Sequence, residues 1–208
     1  MQPGLALDRF RAGEGEIGDF ATGIYESLLR RATDHVEARL SRQANLGPYP
    51  VTLIKTIGLE RGSGQLEIGY EIEGLPQNVP IHFGIEFNFS GMAAGASDRY
   101  FYDGSGRQLG QLQSVLDLAG CERIGLIDEW LGLDAALEFL PAAGLWTFPI
   151  ETISQSEGGF EAVHQSTMVM PHWDIVSPHA GRWSVKIGMS VDTSAAQARR
   201  LREAAVVG

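Results

Sequence analysis

Between Ile81 and Ser90 the chain alternates apolar and polar residues without a fault. Ile81, Phe83, Ile85, Phe87 and Phe89 take one side, and His82, Gly84, Glu86, Asn88 and Ser90 take the other. Successive side chains of a strand point to opposite faces, so this period predicts a strand with one wholly apolar face. Such a face requires a packed layer beneath it. The opposite face carries a single charge, Glu86, which is unusual for a surface that merely meets water. It is expected to line a concave groove or a protein contact, with Gly84 leaving room for a close approach.

The same period recurs along the chain. Val36, Ala38 and Leu40 alternate with Glu37, Arg39 and Ser41, and Gly47-Pro48 ends the run. Val51 to Leu59 and Leu66 to Ile72 flank the turn Gly62-Ser63-Gly64 as a hairpin. Further strands are expected at Arg99–Tyr102, on either side of Gly132, at Trp146–Thr152, at Phe160–Met170 and at Trp183–Val191. Leu112 to Leu118 stays open between strand and helix. The 26 glycines and nine prolines fall mostly between these runs, which is the punctuation of an all-β chain. The expected architecture is a twisted antiparallel β-sandwich over 25–192. It is preceded by an irregular lead-in over 1–24 with one short helix. A short C-terminal helix, rich in Ala, Arg and Leu, is expected in the tail 193–208.

Composition removes several classes of function. A net charge of −10 opposes nucleic-acid binding, which rests on Lys and Arg neutralising phosphates. A neutral polyhydroxylated sugar meets no such obstacle. No run of about 18 apolar residues occurs, so no membrane partner is expected. Asp8, Arg9 and Arg11 interrupt any apolar stretch at the start, so no signal peptide is expected. Cys121 is the only cysteine and cannot form an internal disulfide, which fits a cytoplasmic setting. Phosphate loops, dinucleotide fingerprints and nucleophile elbows are missing, and no cofactor is expected.

The stretch from Pro149 to Gln165, with Ser154-Gln155-Ser156-Glu157-Gly158-Gly159-Phe160-Glu161 at its centre, resembles the C-terminal β-sandwich domain of glycoside hydrolase family 57. That family contains 4-α-glucanotransferases and related α-amylases. Gly18-Asp19-Phe20, Tyr25-Glu26, Phe83 to Phe89, Asp98-Arg99-Tyr100 and Asp128-Glu129-Trp130 extend the resemblance in the same order over roughly Leu7 to Val191. The resemblance implies a galactose mutarotase-like supersandwich. It also implies an α-glucan or maltooligosaccharide as ligand and a catalytic barrel as partner, either encoded separately or removed from this chain. The barrel carries that family's nucleophile and acid, so no catalytic residue is expected in this chain.

Candidate contact residues follow from residue chemistry and from the resembling motifs. His82, Glu86 and Asn88 share one strand face, and His164 and Gln165 lie on another strand. They suit sugar contact or a satisfied polar layer between sheets. An aldose epimerase-like enzyme would use such a histidine as acid and Glu86 as base. Glu151, Glu157 and Glu161 flank a Gly-Gly loop, where they could face a glycosidic bond, order the turn or meet a barrel. Trp130, Trp146 and Trp173, with Tyr100 and Tyr102, are candidates for stacking on a pyranose ring, core packing being the competing fate of each tryptophan. The set carried forward is His82, Glu86, Asn88, Asp98, Arg99, Trp130, Glu157, His164 and Gln165. His172 and His179 around Asp174, and the trio Asp98, Asp103 and Asp128, match no metal-ligand spacing, so no metal is expected.

Overall fold

The computed structural model describes residues 1–156, 159–177, 179 and 181–198. One short helix, α1 (Leu7–Arg11), precedes twelve strands. These are β1 (Glu26–Arg31), β2 (His35–Leu46), β3 (Tyr49–Glu60), β4 (Gln65–Leu75), β5 (Pro80–Gly84) and β6 (Phe87–Ser90). They continue as β7 (Arg99–Asp103), β8 (Gln108–Gln111), β9 (Leu116–Asp128), β10 (Leu133–Ser156), β11 (Gly159–Val176) and β12 (Gly181–Asp192). Residues 194–198 are helical, and the rest of the expected C-terminal helix lies outside the described residues.

The strands form one continuous antiparallel sheet in the order β1-β2-β3-β4-β12-β10-β9-β7-β8, with β11 on the far half of β10 and β5 and β6 beyond it. The sandwich arises because β10 serves both layers. Its first part, Asp134 to Leu140, pairs with β12, and its second, Gly144 to Ser156, pairs with β11. The ladder to β9 shifts register between Glu138 and Ala143, beside Pro141, which has no N–H to contribute.

Both inner faces close on one core. Val51, Ile72 and Ile187 from the first layer meet Ile81, Val169 and Ile175 from the second. Aromatic rings cross the seam: Phe83 lies 5.9 Å from Tyr70 and 5.5 Å from Trp183, and Trp173 lies 5.5 Å from Trp183. Phe83, Phe87 and Phe89 pack against this core and Ile81 and Ile85 are buried in it, as the alternation requires. The strand is broken once, at Ile85–Glu86. Opposite stands Pro171, which accepts from the Ile85 N–H at 3.0 Å but cannot return a bond.

A second, smaller core lies on the outer face of the second layer. Met1, Leu5, Leu7 and Phe10 fold over Trp146, Phe148, Met168 and Met170. The lead-in is therefore a cap on the sheet. Strand β1 was not foreseen, because as an exposed edge strand it buries neither face and shows no period. The expectation of short strands also fails at β10 and β11, which run for 24 and 18 residues. Gly144 and Pro171, which lie outside the expected runs, sit inside these strands.

Candidate carbohydrate-contact site

Strands β7 and β9 bring two distant motifs side by side, with Arg99 opposite Asp128 and Tyr100 opposite Ile127. The Arg99 guanidinium donates to Asp128 Oδ2 and to Asp98 Oδ1, each at 2.9 Å. Asp128 is only 1% exposed, and its other oxygen accepts the Leu131 N–H at 2.8 Å. The Glu129 N–H reaches the Asp98 carbonyl at 3.0 Å, and the Gly132 N–H reaches the Asp128 carbonyl at 2.8 Å. Gly132 holds a φ of 67°, a left-handed conformation that suits glycine.

This turn is tied down on every side, yet Trp130 at its apex is 69% exposed and Leu131 is exposed beside it. An unpacked indole on an ordered turn differs from the chain's other tryptophans. Trp146 and Trp173 are core residues, their N–H groups satisfied by Asp117 and by the Pro141 and Ala142 carbonyls. The flank of the turn is polar. Tyr100 donates to Glu129 at 3.0 Å, and that bond holds the phenol above its usual pKa. Tyr102 donates to Asp134 and lies under the Arg123 guanidinium, 5.6 Å from the ring centroid. A cleft of about 340 Å³ elsewhere is apolar, whereas the one of about 310 Å³ beside this turn is lined by Asp128, Glu129, Asp134 and Asp192.

The remaining candidates are dispersed. His82 is 2% exposed beneath the N-terminal cap, on the face expected to line a groove or a protein contact. The space beside Gly84 is filled by Met170 and Met1. Glu86 and Asn88 are exposed farther along, and Asn88 donates to Glu86 at 2.7 Å. His164 stands opposite Glu151 at the base of the β10–β11 ribbon, with both ring nitrogens buried and unbonded. Gln165 donates to Thr152 Oγ1 at 3.0 Å. Glu157 lies outside the described residues. Among the described residues no three His, Cys, Asp or Glu side chains are placed to hold a metal ion. Cys121 is half-buried, and burial pushes its thiol up.

Asp128 and Glu129 were quoted in a motif but left out of the candidate set. A triplet alone does not say which member turns inward. The signal available was the pairing of an acidic triplet with Arg99 across two predicted strands.

Residues 1–187 match the family described as alpha-amylase/4-alpha-glucanotransferase, C-terminal. The chain belongs to this family. Alpha-amylase 1 of Dictyoglomus thermophilum is 28% identical over 138 residues, which cover 65% of this chain and 19% of the amylase. The 4-alpha-glucanotransferase of Thermococcus litoralis superposes with a TM-score of 0.66 at 21% identity, over 91% of this chain and 26% of that one. This member of the C-terminal family thus spans about a fifth and about a quarter of these two relatives. An aldose 1-epimerase-like protein of Escherichia coli K12 superposes with a TM-score of 0.59 at 11% identity, over 84% of this chain and 70% of that one. The shared fold is the galactose mutarotase-like sandwich, and no helix among the described residues is long and apolar enough to cross a membrane.

Proposed function

We propose that this chain is a non-catalytic, carbohydrate-associated domain of an α-glucan-acting hydrolase or glucanotransferase system, with the Trp130 turn as its glucan contact. The observation that carries this reading is the exposed indole on a turn that Asp128 and Arg99 hold in place. A tryptophan face offers a pyranose a large apolar surface with little loss of side-chain entropy. The neighbouring carboxylates and phenol of Glu129, Asp134 and Tyr100 are suited to its hydroxyls. Calorimetric titration with maltoheptaose is expected to show binding without hydrolysis or chain transfer. Trp130→Ala should weaken that binding about tenfold. Because the side chain is exposed, the same change should alter the unfolding free energy by less than about 0.5 kcal/mol. Full affinity in Trp130→Ala would rule the turn out as the contact.

A second role, docking to a catalytic domain, is favoured by the β10–β11 ribbon. Ile153 and Phe160 are 71% and 78% exposed there, on a two-stranded arm that extends beyond the sheet. Mixing this chain with the non-matching three quarters of the T. litoralis glucanotransferase should give a complex by gel filtration. Phe160→Ser should abolish that complex, and an unaltered complex would count against the ribbon. The epimerase-like alternative is disfavoured by geometry: His82 is buried under the cap, and Glu86 is bonded to Asn88.

A further inference from the structure

Two histidines meet beneath the N-terminal cap. His82 Nε2 on β5 lies 2.9 Å from His172 Nδ1 on β11, so one imidazole donates to the other. Trp146 closes the site from β10, with its ring centroid 4.3 Å from His172 and 5.4 Å from His82. His172 Nε2, an outer nitrogen, is buried without a hydrogen-bond partner, while the backbone of Gln2 in the cap lies against the His82 ring. The pair holds two ring protons when both rings are neutral, and one of them occupies the shared bond. A third proton would occupy the bare outer nitrogen, leaving the shared bond in place but putting a charge where little can solvate it.

The surroundings offset that charge only in part. Asp174 on β11, Asp117 on β9 and the backbone of Gln2 favour it. The amino group of Met1, which donates to the His82 carbonyl at 2.6 Å and has Glu16 near it, opposes it. Burial is the largest influence on both rings. It lowers His82 and, with His82 beside it, brings His172 down to about 4.

The cap itself is held by few polar contacts. Leu5 and Leu7 are buried against Trp146, Met168 and Met170, and the Gln2 N–H reaches the Gly15 carbonyl at 2.8 Å. Helix α1 has five residues and no side-chain cap at its start. A helix of that length does not persist without its packing.

We propose that the His82–His172 pair is a pH-sensitive latch, holding residues 1–11 against β5, β10 and β11 while neutral and releasing them on protonation. The sign follows from linkage. The closed state binds fewer protons than the open one, so closure is fully favoured above about pH 6.5, the ordinary histidine value, and is lost as pH falls towards 4. For one proton taken up at His172, the opening equilibrium should rise on the order of 50-fold between pH 7.5 and 4.5.

Hydrogen–deuterium exchange of the amides of Phe10, Ala12 and Gly13, corrected for the intrinsic pH dependence, reads this opening directly. Their protection should fall on that scale at pH 4.5 while β9 and β10 stay protected. The double variant His82→Gln with His172→Asn should keep the cap protected at both values. Equal protection of the wild type at the two pH values would overturn the proposal, as would the same acid loss in the double variant. If that variant does not fold, histidine ring resonances of the wild type decide the matter. Titration of both rings near 6.5 with the cap still protected would refute the latch, and titration below about 5 together with loss of cap protection would support it.

Discussion

Replacing Phe101 by alanine is expected to lower the unfolding free energy by about 4 kcal/mol. The ring is fully buried, although β7 has only five residues and lies one strand from the sheet's edge. It stands opposite Leu126, itself fully buried, and belongs to the core shared by both layers. The loss combines the transfer of the ring to water with a cavity that rigid, hydrogen-bonded strands cannot collapse to fill. Urea denaturation should show a lower midpoint at unchanged slope, since the surface exposed on unfolding stays nearly the same. A loss below about 1 kcal/mol would mean that the two layers close over the gap and that this end of the sandwich is loosely packed.

Asp128→Ala is expected to cost about 3 kcal/mol and to remove the maltoheptaose binding proposed for the Trp130 turn. The carboxylate serves two partners: it accepts from Arg99 and caps the Leu131 N–H. Removal leaves that half-buried amide without its cap and Arg99 with Asp98 alone. The cost stays below that of a fully buried orphan charge, because Asp98 remains and the Arg99 side chain is 15% exposed. Asp128→Asn should be milder, since its side-chain oxygen can still cap the turn. Denaturation and maltoheptaose titration of the same preparations test both halves of the expectation. Wild-type affinity in Asp128→Ala would show that the ordered turn has no part in binding.

These two residues differ in how visible they are in the sequence. Phe101 sits in the run Arg99–Tyr102, where strand character is readable but the inward face is not, because Arg, Tyr, Phe and Tyr give no apolar alternation. Its burial follows from β9, whose Ile124 and Leu126 set the inward face. Asp128 read as one member of a short motif, and nothing local distinguishes a buried carboxylate from an exposed one. Only the pairing of β7 with β9 supplies the arginine that makes burial tolerable. Trp130, Trp146 and Trp173 show the same limit. Each lies next to or within an apolar run, yet one is exposed and two are in cores, according to the strand or turn that carries it.

What the sequence by itself determined was everything that depends on period and local chemistry. Strict alternation from Ile81 to Phe89 specified a strand and its buried face, because a slip of one residue would expose three phenylalanines. Turn residues marked the hairpins, and the ordered motifs carried the family. Tertiary structure alone decided which polar residues meet. His82 and His172 are 90 positions apart and touch because β5 lies beside β11. The polar face of that strand looked like a groove for a partner, yet around His82 and Gly84 the partner is the chain's own first residues. Alternation says which face meets the core; the polar face is covered around His82 and Gly84 but open at Glu86 and Asn88. What covers it depends on long-range packing, which no local pattern encodes.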